Sequence, residues 1–445
     1  MFWLTLFSAA MARGQPASPP VTLTVDRNPA QTLAGFGCSL VDLNDTQIPL
    51  PLQAELFTRV FGDLRMNVLR LWVQSGPTRT LAQMKSEFYR AYVDSGIIAA
   101  AKKQGVNNLL LAPARGEGSP PEPMSEYAGK LAEFIHDVEA ERGIKIDVTG
   151  IANEPAGFQP AQLTEAVRQL RRQLDARELP DVGIIAPEAA SADDWALRCI
   201  ASLQADPAAW AALRGIATHS YNMAATSAFA KIIAGTGRQY WMTEAADNGN
   251  ECAADASLAA STAARFLNDL NCGVTHWLYF IGFHDSPDVT NDADNATKLM
   301  VYDRKGQRIF RPLKYDYFCQ LRSALPNGSR IFPLKAQPGG DLVFTYGQKP
   351  FLNAVAAQRP DGRWSLAMVN LTGVRPDTAI SKWHPATSLQ VKWDVAGLAG
   401  EPTVSLSIYR SDAERRFASD GNAIMHGGTL TLDLRPGELI TLIQE

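Results

Sequence analysis

The sequence predicts an α/β fold class, a (β/α)₈ TIM barrel with an attached β-sandwich domain. Short apolar runs alternate with longer amphipathic runs between residues 32 and 324, which is the pattern of parallel strands joined by helices. Eight of these runs are apolar and short, the number of strands that closes a barrel. Beyond Leu325-Pro326-Asn327-Gly328 the pattern changes to short β-rich runs separated by turn residues. That change is typical of an antiparallel sandwich.

The barrel strands are predicted from runs that are aliphatic and bounded by polar segments. Amphipathic helical patterns lie between them, and Pro160 and Pro207 fall near predicted helix ends, where proline is tolerated. No Gly-x-Gly-x-x-Gly sequence follows the first run, which disfavours the alternative of a doubly wound sheet. The predicted strands are 33–40, 68–73, 108–113, 148–153, 182–187, 215–220, 239–243 and 274–280, and the predicted helices include 125–142, 164–178, 191–204 and 255–271.

The sandwich is predicted from short runs that are punctuated by turn signals. Pro360-Asp361-Gly362 and His426-Gly427-Gly428 fit tight turns between antiparallel strands. The early run 21–25 is too short to stand alone, so we expect it to complete this sandwich. The predicted division is a barrel over 32–324 and a sandwich over 21–31 plus 325–445. The predicted sandwich strands include 342–346, 364–371, 389–395, 404–409 and 430–434.

Composition limits the classes of partner. The formal net charge is −4 and basic blocks are lacking, which argues against nucleic acid or an anionic membrane as the main partner. Five cysteines are too few, and odd in number, for a disulfide framework, so we expect buried free thiols. After the N-terminus no stretch approaches the ~20 apolar residues that span a bilayer. Nothing in the sequence indicates an oligomeric state.

The N-terminus has features of a secretory signal. An apolar run closes on Ala10-Met11-Ala12, a cleavage pattern of small residues, although no positively charged segment precedes it. We therefore expect a signal peptide in residues 1–14 and a secreted or periplasmic protein.

Two predicted barrel strands end on a glutamate. Ile151-Ala152-Asn153-Glu154-Pro155 closes the fourth strand and Tyr240-Trp241-Met242-Thr243-Glu244 closes the seventh. Burying a lone charge at a strand end is costly, and catalytic residues of this fold lie at the C-terminal ends of the strands. The fourth and seventh strands face each other across an eight-stranded ring. Two facing carboxylates are the groups that glycoside hydrolysis requires.

Together with further motifs, these residues make the chain resemble a retaining clan A glycoside hydrolase, most of all glycoside hydrolase family 30. That family includes glucosylceramidases, β-1,6-glucanases, β-1,6-galactanases and glucuronoxylan hydrolases. The resemblance covers nearly all of the chain after the N-terminal run. Its motifs are Gly35-Phe36-Gly37-Cys38-Ser39-Leu40-Val41-Asp42, Leu69-Arg70-Leu71-Trp72, Asn153-Glu154-Pro155, His219-Ser220-Tyr221, Trp241-Met242-Thr243-Glu244 and Thr275-His276-Trp277, with 314–325 similar to the family's last barrel helix.

The resemblance implies that Glu154 is the general acid/base and Glu244 the nucleophile. It also implies that Glu154 keeps its proton near neutral pH, through a less polar niche or the field of Glu244. No metal and no organic cofactor is implied, and the expected partner is a carbohydrate substrate. The implied substrate-binding set comprises Asp42 for sugar hydroxyls, Arg70 and Tyr221 beside Glu244, Asn153 for the 2-hydroxyl, Trp277 as an apolar floor, and Trp72 and His219.

Plain structural roles are alternatives for several of these residues. Arg70 also suits pairing with an acid inside the barrel, Trp72 and Trp277 suit core packing, and Asp42 suits capping of the following helix. Glu188, on the predicted fifth strand, is a further acid that we expect to shape a subsite or bond to a neighbour rather than react.

The sequence also departs from the glucosylceramidase branch. Arg115-Gly116-Glu117 follows the third strand where that branch has a tryptophan, and Ser220 replaces an aromatic residue. Arg115 and Glu117 therefore offer polar contacts to a sugar chain, and contact of Arg115 with a uronate is a further hypothesis.

Two other functional classes remain as alternatives. One is a non-catalytic carbohydrate-binding barrel, and the other is a different barrel hydrolase or lyase, such as a metal-assisted one. No Gly-x-Ser-x-Gly elbow and no zinc-type histidine spacing is present. The segment 288–294 is rich in Asp and Asn but lacks the glycine and closing glutamate of an EF-hand, so we expect a solvated loop there, with calcium binding left as an alternative.

Overall fold

The computed structural model describes residues 20–41, 43, 46–115, 123–155, 157–221, 223–247, 256–290, 296–337, 350–374 and 384–445. In this part of the chain, parallel strands close a barrel in sequence order, because the eighth strand pairs with both the seventh and the first. The predicted fold class is confirmed. The barrel strands are Gly35–Leu40, Val68–Gln74, Asn108–Ala114, Val148–Thr149, Gly183–Ala189, Leu213–Ser220, Gln239–Ala245 and His276–Phe280.

The fourth strand is much shorter than predicted. Regular pairing stops at Thr149, and the next residues leave the ladder while keeping isolated contacts to the third strand. The Asn153 N–H donates to the carbonyl of Pro113 at 2.8 Å, and the Tyr127 hydroxyl donates to the carbonyl of Ile151 at 2.6 Å. These bonds hold the segment that carries Glu154 in a fixed, irregular path.

Helices surround the barrel and bury their apolar faces against the strands. Their starts are set by caps: Thr80 and Gln83 form a capping box, and Asp193 accepts from the N–H groups of Trp195 and Ala196. The helices are Leu50–Phe57, continued by a π-helical turn over Thr58–Asp63, Leu81–Phe88, continued similarly over Tyr89–Asp94, and Ile97–Lys103, Met124–Arg142, Pro160–Asp175, Asp194–Ala205, Pro207–Ala212, Ser227–Ile233, Ala256–Asn271 and Leu313–Ala324.

The barrel interior is layered. An apolar layer of strand residues, among them Val68, Trp241 and Leu278, fills the part of the interior nearer the N-terminal ends of the strands. His276 stacks on Trp241 with ring centroids 3.8 Å apart, and burial lowers the pKa of His276 to about 3, so that this histidine stays neutral. Gly35 makes room for it, since a Cβ there would lie 2.3 Å from the His276 ring. The apolar layer and the His276–Trp241 stack therefore fill the end of the barrel at which the strands begin.

The remaining strands form one large sheet with its own core. Val21–Val25 joins it, pairing parallel with Leu389–Val395 and antiparallel with Leu334–Gln337. Residues from strands near both edges of this sheet pack in one apolar cluster. The sheet therefore folds over on itself as a sandwich. Its other strands are Gln31–Thr32, Arg330–Phe332, Leu352–Gln358, Trp364–Asn370, Thr403–Ser411, Ala418–His426, Thr429–Leu434 and Leu439–Gln444, and a separate small sheet comprises Phe283–Ser286, Met300–Asp303 and Arg308–Phe310.

The remaining sequence-based expectations concern cysteines and membranes. Cys38, Cys199, Cys272 and Cys319 are free thiols, whereas Cys252 lies outside the described residues. Within the described ranges no helix has the length and apolar character needed to cross a membrane. The predicted signal peptide (1–14), the predicted sandwich strand 342–346 and most of the Asp/Asn-rich segment also lie outside the described residues.

Candidate active site

Arg70 is the centre of the polar cluster at the open end of the barrel. It follows Val68 on the inward face of the second strand and is completely buried. Its Nη1 donates to Oε1 of Glu244 at 2.5 Å and its Nη2 donates to Oδ1 of Asn153 at 2.6 Å. Nη2 also donates to Oε1 of Glu188 at 3.1 Å. One guanidinium thus joins the segment after the fourth strand to residues of the fifth and seventh strands.

Glu244 reaches the interior through a bulge. Trp241 faces inward on the seventh strand, so strict alternation would turn a residue three positions later outward. The pairing with the sixth strand shifts register between Thr218 and His219, which places His219 opposite Glu244. Such an extra residue re-aims the side chains that follow it. The bulge therefore delivers the Glu244 carboxylate to the open end of the barrel.

The Glu244 carboxylate is surrounded by donors. Besides Arg70, the Tyr221 hydroxyl donates to Oε2 at 2.7 Å, and Nδ1 of His219 lies 3.5 Å from the same oxygen. Only 3% of the Glu244 side chain is exposed. Because an ionised carboxylate only accepts hydrogen bonds, this set of donors suits the charged form of Glu244.

Glu154 lies on the irregular segment after the fourth strand, in the left-handed region with φ 45°. Its N–H donates to the carbonyl of Glu188 at 3.1 Å, and its Oε1 is 2.8 Å from Nδ1 of His219. Burial raises the pKa of Glu154, but the hydrogen bond from His219 and the charge of Arg70 outweigh it and hold the pKa below its ordinary value. This direction is opposite to the expectation that the surroundings of Glu154 raise its pKa.

His219 lies between the two glutamates as a hydrogen-bond donor. Its side chain is fully buried, and among the described residues Nε2 has no hydrogen-bond partner. A proton on Nε2 would be a buried donor without an acceptor, which is unfavourable. The proton therefore belongs on Nδ1, where Glu154 accepts it.

The same three residues are the best candidate ligands for a metal. One atom each from Glu154, His219 and Glu244 lies within 4.8 Å of the others. A metal on Nδ1 would, however, displace the proton to Nε2, which has no acceptor within the described ranges, and the cation would lie beside the Arg70 charge. These residues therefore fit a resident metal poorly.

Trp277 is not part of this site, contrary to the sequence-based expectation. It points out of the barrel, is completely buried, and packs against Phe36, Phe266 and Phe318. Its Nε1 donates to Asp269 at 2.9 Å. The side-chain alternation of the eighth strand explains the error, because a residue adjacent to inward-facing Leu278 must face outward.

Phe280 is an aromatic residue beside Tyr221 that no sequence-based prediction names. It follows Leu278 on the inward face of the eighth strand, and its ring centroid is 6.0 Å from that of Tyr221 and 6.3 Å from that of Trp72. The signal that could have identified it is the spacing of two residues from Leu278. Trp72 joins this aromatic side of the site, with its Nε1 buried and unpartnered among the described residues.

Three other residues are predicted from the sequence to contact the sugar. Asp42 and Glu117 lie outside the described residues. The Arg115 guanidinium lies over the rings of Tyr127 and Phe158, at 5.1 Å from each centroid. It is thus packed against two aromatic side chains next to the segment that carries Glu154.

No family profile matches the sequence, and no curated protein sequence matches it significantly. Solved structures do match. A glycoside hydrolase family 30 endoxylanase from Clostridium papyrosolvens is 14% identical with a TM-score of 0.68, covering 96% of this chain and 100% of that one. A subfamily 8 xylanase of the same family from Clostridium acetobutylicum is 15% identical, with a TM-score of 0.68 and coverage of 96% and 99%.

An endo-β-1,6-glucanase is 14% identical with a TM-score of 0.62, covering 95% of this chain and 93% of that one. At these identities the likeness is one of fold. The chain has the fold of family 30 glycoside hydrolases, a barrel with an attached sandwich.

Proposed function

We propose that the protein is a retaining β-glycoside hydrolase that acts on a β-linked oligo- or polysaccharide, or on a glycoconjugate. The observation that carries this proposal is the spacing of two glutamates: a carboxylate oxygen of Glu154 lies within 4.8 Å of one of Glu244. Retaining enzymes separate their carboxyl groups by about 5–5.5 Å, and inverting enzymes by about 6.5–9.5 Å to admit a water. The shorter spacing supports double displacement.

In the first step Glu244 attacks the anomeric carbon and forms a bond to it while the glycosidic C–O bond breaks. Glu154 gives its proton to the leaving oxygen. In the second step Glu154 takes a proton from water, whose oxygen attacks the same carbon and releases Glu244. The buried, donor-rich surroundings of Glu244 and the partly exposed position of Glu154 support this division of roles.

The first step requires a protonated Glu154, whose pKa is held below its ordinary value. Its side chain is 37% exposed, and a sugar bound against Glu244 would cover it. Loss of water raises a carboxyl pKa, so substrate binding favours uptake of the proton. The lowered pKa of Glu154 also predicts that activity is greatest at acidic pH, where this carboxyl group is protonated.

Three further residues would hold the sugar that reacts. Asn153 accepts from Arg70 through Oδ1, which leaves its amide N–H groups directed elsewhere, as donation to a 2-hydroxyl requires. Phe280 would supply an apolar face, and Trp72 would donate its Nε1–H to a hydroxyl. Binding of this kind preorganises the anomeric carbon against Glu244.

The structural neighbours suggest where the search for substrates should begin. They are described as xylanases and as an endo-β-1,6-glucanase, so xylan, glucuronoxylan and β-1,6-glucan are the first polysaccharides to test. The position of Arg115 over Tyr127 and Phe158, near the segment that carries Glu154, supports including glucuronoxylan, since a guanidinium binds carboxylates well.

The test is hydrolysis of these polysaccharides and of aryl β-glycosides by the protein and three variants. Glu154→Gln and Glu244→Gln should each lose activity, with a loss of about 10²–10⁴-fold for the general acid. Glu139→Gln, on the exposed face of its helix, is the matched control and should keep full activity. Turnover that survives in both site variants, or that a chelator abolishes, would favour a metal-assisted barrel enzyme. No turnover on any substrate, with sugar binding retained, would favour the carbohydrate-binding alternative.

A further inference from the structure

Glu188 carries a third carboxyl group, which binds Arg70 as Glu244 does. It is the penultimate residue of the fifth strand, lies in the left-handed region with φ 54° and is completely buried. Its Oε1 accepts from Arg70 at 3.1 Å, whereas its Oε2 is buried and has no partner among the described residues. Gly150 makes room for this oxygen, because a Cβ at that position would lie 1.7 Å from it. The carboxyl group therefore occupies a close-fitting, buried place.

Arg70 is flanked by two acids and carries only one charge. Glu244 has the shorter contact, 2.5 Å against 3.1 Å for Glu188, and also accepts from Tyr221. An ionised carboxylate in the position of Glu188 would leave one charged oxygen buried without a donor, which is very unfavourable. When two carboxyl groups compete for one cation, the group with fewer donors keeps the proton.

We propose that Glu188 is a neutral, protonated positioning residue that orients Arg70 for Glu244 and Asn153 without competing for its charge. This role rests on the proposed glycosidase function, although the protonation itself does not. The carbonyl oxygen of the neutral acid accepts from Nη2 and fixes the plane of the guanidinium. The backbone carbonyl of Glu188 accepts the N–H of Glu154, so one residue places both the Arg70 guanidinium and the acid/base segment.

The charged and titratable groups that face Glu188 are Arg70, His219 and Glu244. Burial is the largest influence and raises the pKa of Glu188; Arg70 and His219 lower it by less, and Glu244 raises it further. The net direction agrees with the geometry. If Glu188 ionised, it would draw Arg70 away from Glu244 and disturb the position of the nucleophile.

The test compares Glu188→Gln with Glu188→Ala in the full chain. Glutamine is neutral and has the same shape, so it should keep kcat and KM close to those of the unsubstituted protein. Alanine leaves Arg70 unrestrained, and a misplaced catalytic group costs about 100-fold in rate, a loss that should fall on kcat. A large loss in Glu188→Gln, or its failure to fold, would overturn the proposal, because a neutral acid tolerates replacement by its neutral amide.

A second measurement is independent of activity. Because the folded pKa of Glu188 lies above the unfolded value of about 4.3, the folded state binds more protons than the unfolded state. Its stability must therefore fall as pH rises above the unfolded pKa, relative to Glu188→Gln. Melting temperatures of the two proteins across the acidic and neutral range measure this trend. A constant difference, or the opposite slope, would show an ionised Glu188.

Infrared difference spectroscopy gives the most direct evidence. The spectrum of the unsubstituted protein minus that of Glu188→Gln at neutral pH should contain the carbonyl band of a protonated carboxylic acid. A carboxylate band in its place contradicts the proposal. If the acid band is present but no glycoside is hydrolysed, the proposed function fails while the protonation of Glu188 stands.

Discussion

Arg70 and Glu244 form a buried ion pair in which Nη1 lies 2.5 Å from Oε1, with 0% and 3% of the two side chains exposed. Both charges have been removed from water, so each depends on the other and on nearby hydrogen bonds for compensation. The pair also holds the carboxylate that we assign as nucleophile. Stability and catalysis therefore depend on the same contact.

Arg70→Met should lower the free energy of unfolding by about 3–5 kcal/mol, because it leaves a buried charge without its partner. The matched control is Arg79→Met. It breaks an ion pair with Glu87 of similar length, 2.6 Å, whose side chains are 40% and 32% exposed, so the expected loss is below about 1 kcal/mol. Urea unfolding of both variants measures the two losses. Equal losses of unfolding free energy would contradict the claim that the burial of the Arg70–Glu244 pair makes its loss more costly.

The hydrogen bond between His219 and Glu154 predicts a change in pH dependence. It lowers the pKa of Glu154, and the alkaline limb of kcat/KM reports the pKa of the essential acid in the free enzyme. His219→Phe removes the donor, so the pKa of Glu154 should rise and the alkaline limb should move to higher pH. The pH profile of kcat/KM for both proteins tests this. An alkaline limb that stays at the same pH, or moves to lower pH, would show that His219 does not lower the pKa of Glu154.

Gly150→Ala should damage the site. An added Cβ would lie 1.7 Å from Oε2 of Glu188, whereas at Gly129 the nearest atom would be 3.9 Å away. Gly129 lies within the helix Met124–Arg142, so Gly129→Ala serves as the control and should stabilise the protein by about 0.5–1 kcal/mol. Thermal unfolding and kcat of both variants provide the comparison. Full activity in Gly150→Ala would show that the space beside Glu188 is not needed.

Trp277 and Phe280 should separate stability from substrate binding. Trp277→Ala removes a large core side chain and should cost about 3–5 kcal/mol of unfolding free energy, with KM of the folded protein unchanged. Phe280→Ala should raise KM by about tenfold, since it removes an apolar surface that the sugar would cover. Kinetics below the melting temperature of each variant distinguish the two roles. If KM rises in Trp277→Ala but not in Phe280→Ala, Trp277 and not Phe280 is the residue that contacts the sugar.

The strand ends explain why much of this site could be predicted from sequence. Glu154 and Glu244 follow apolar runs whose number and spacing predict a barrel, and all such runs end at one face. Arg70 is a charged residue inside an apolar run, which requires a buried partner. These inferences need only local pattern and the geometry of a closed parallel sheet.

What could not be predicted depends on departures from regular alternation. The extra residue in the seventh strand turns Glu244 inward, and the fifth strand shifts register between Pro187 and Ala189, beside Glu188. No sequence pattern marks these bulges. The close approach of Gly150 to Glu188 is likewise a contact between residues far apart in the sequence. The lowered pKa of Glu154 depends on a histidine 65 residues away. Trp277 was misplaced for the opposite reason, since there regular alternation does hold.

The most direct test of the two-glutamate mechanism is the anomeric configuration of the first product. Proton NMR during the first minutes of hydrolysis of a β-glycoside, before mutarotation, distinguishes the two anomers. Double displacement by Glu244 and Glu154 predicts that the β-anomer appears first. Initial formation of the α-anomer would show a single displacement by water and would contradict the role of Glu244 as nucleophile.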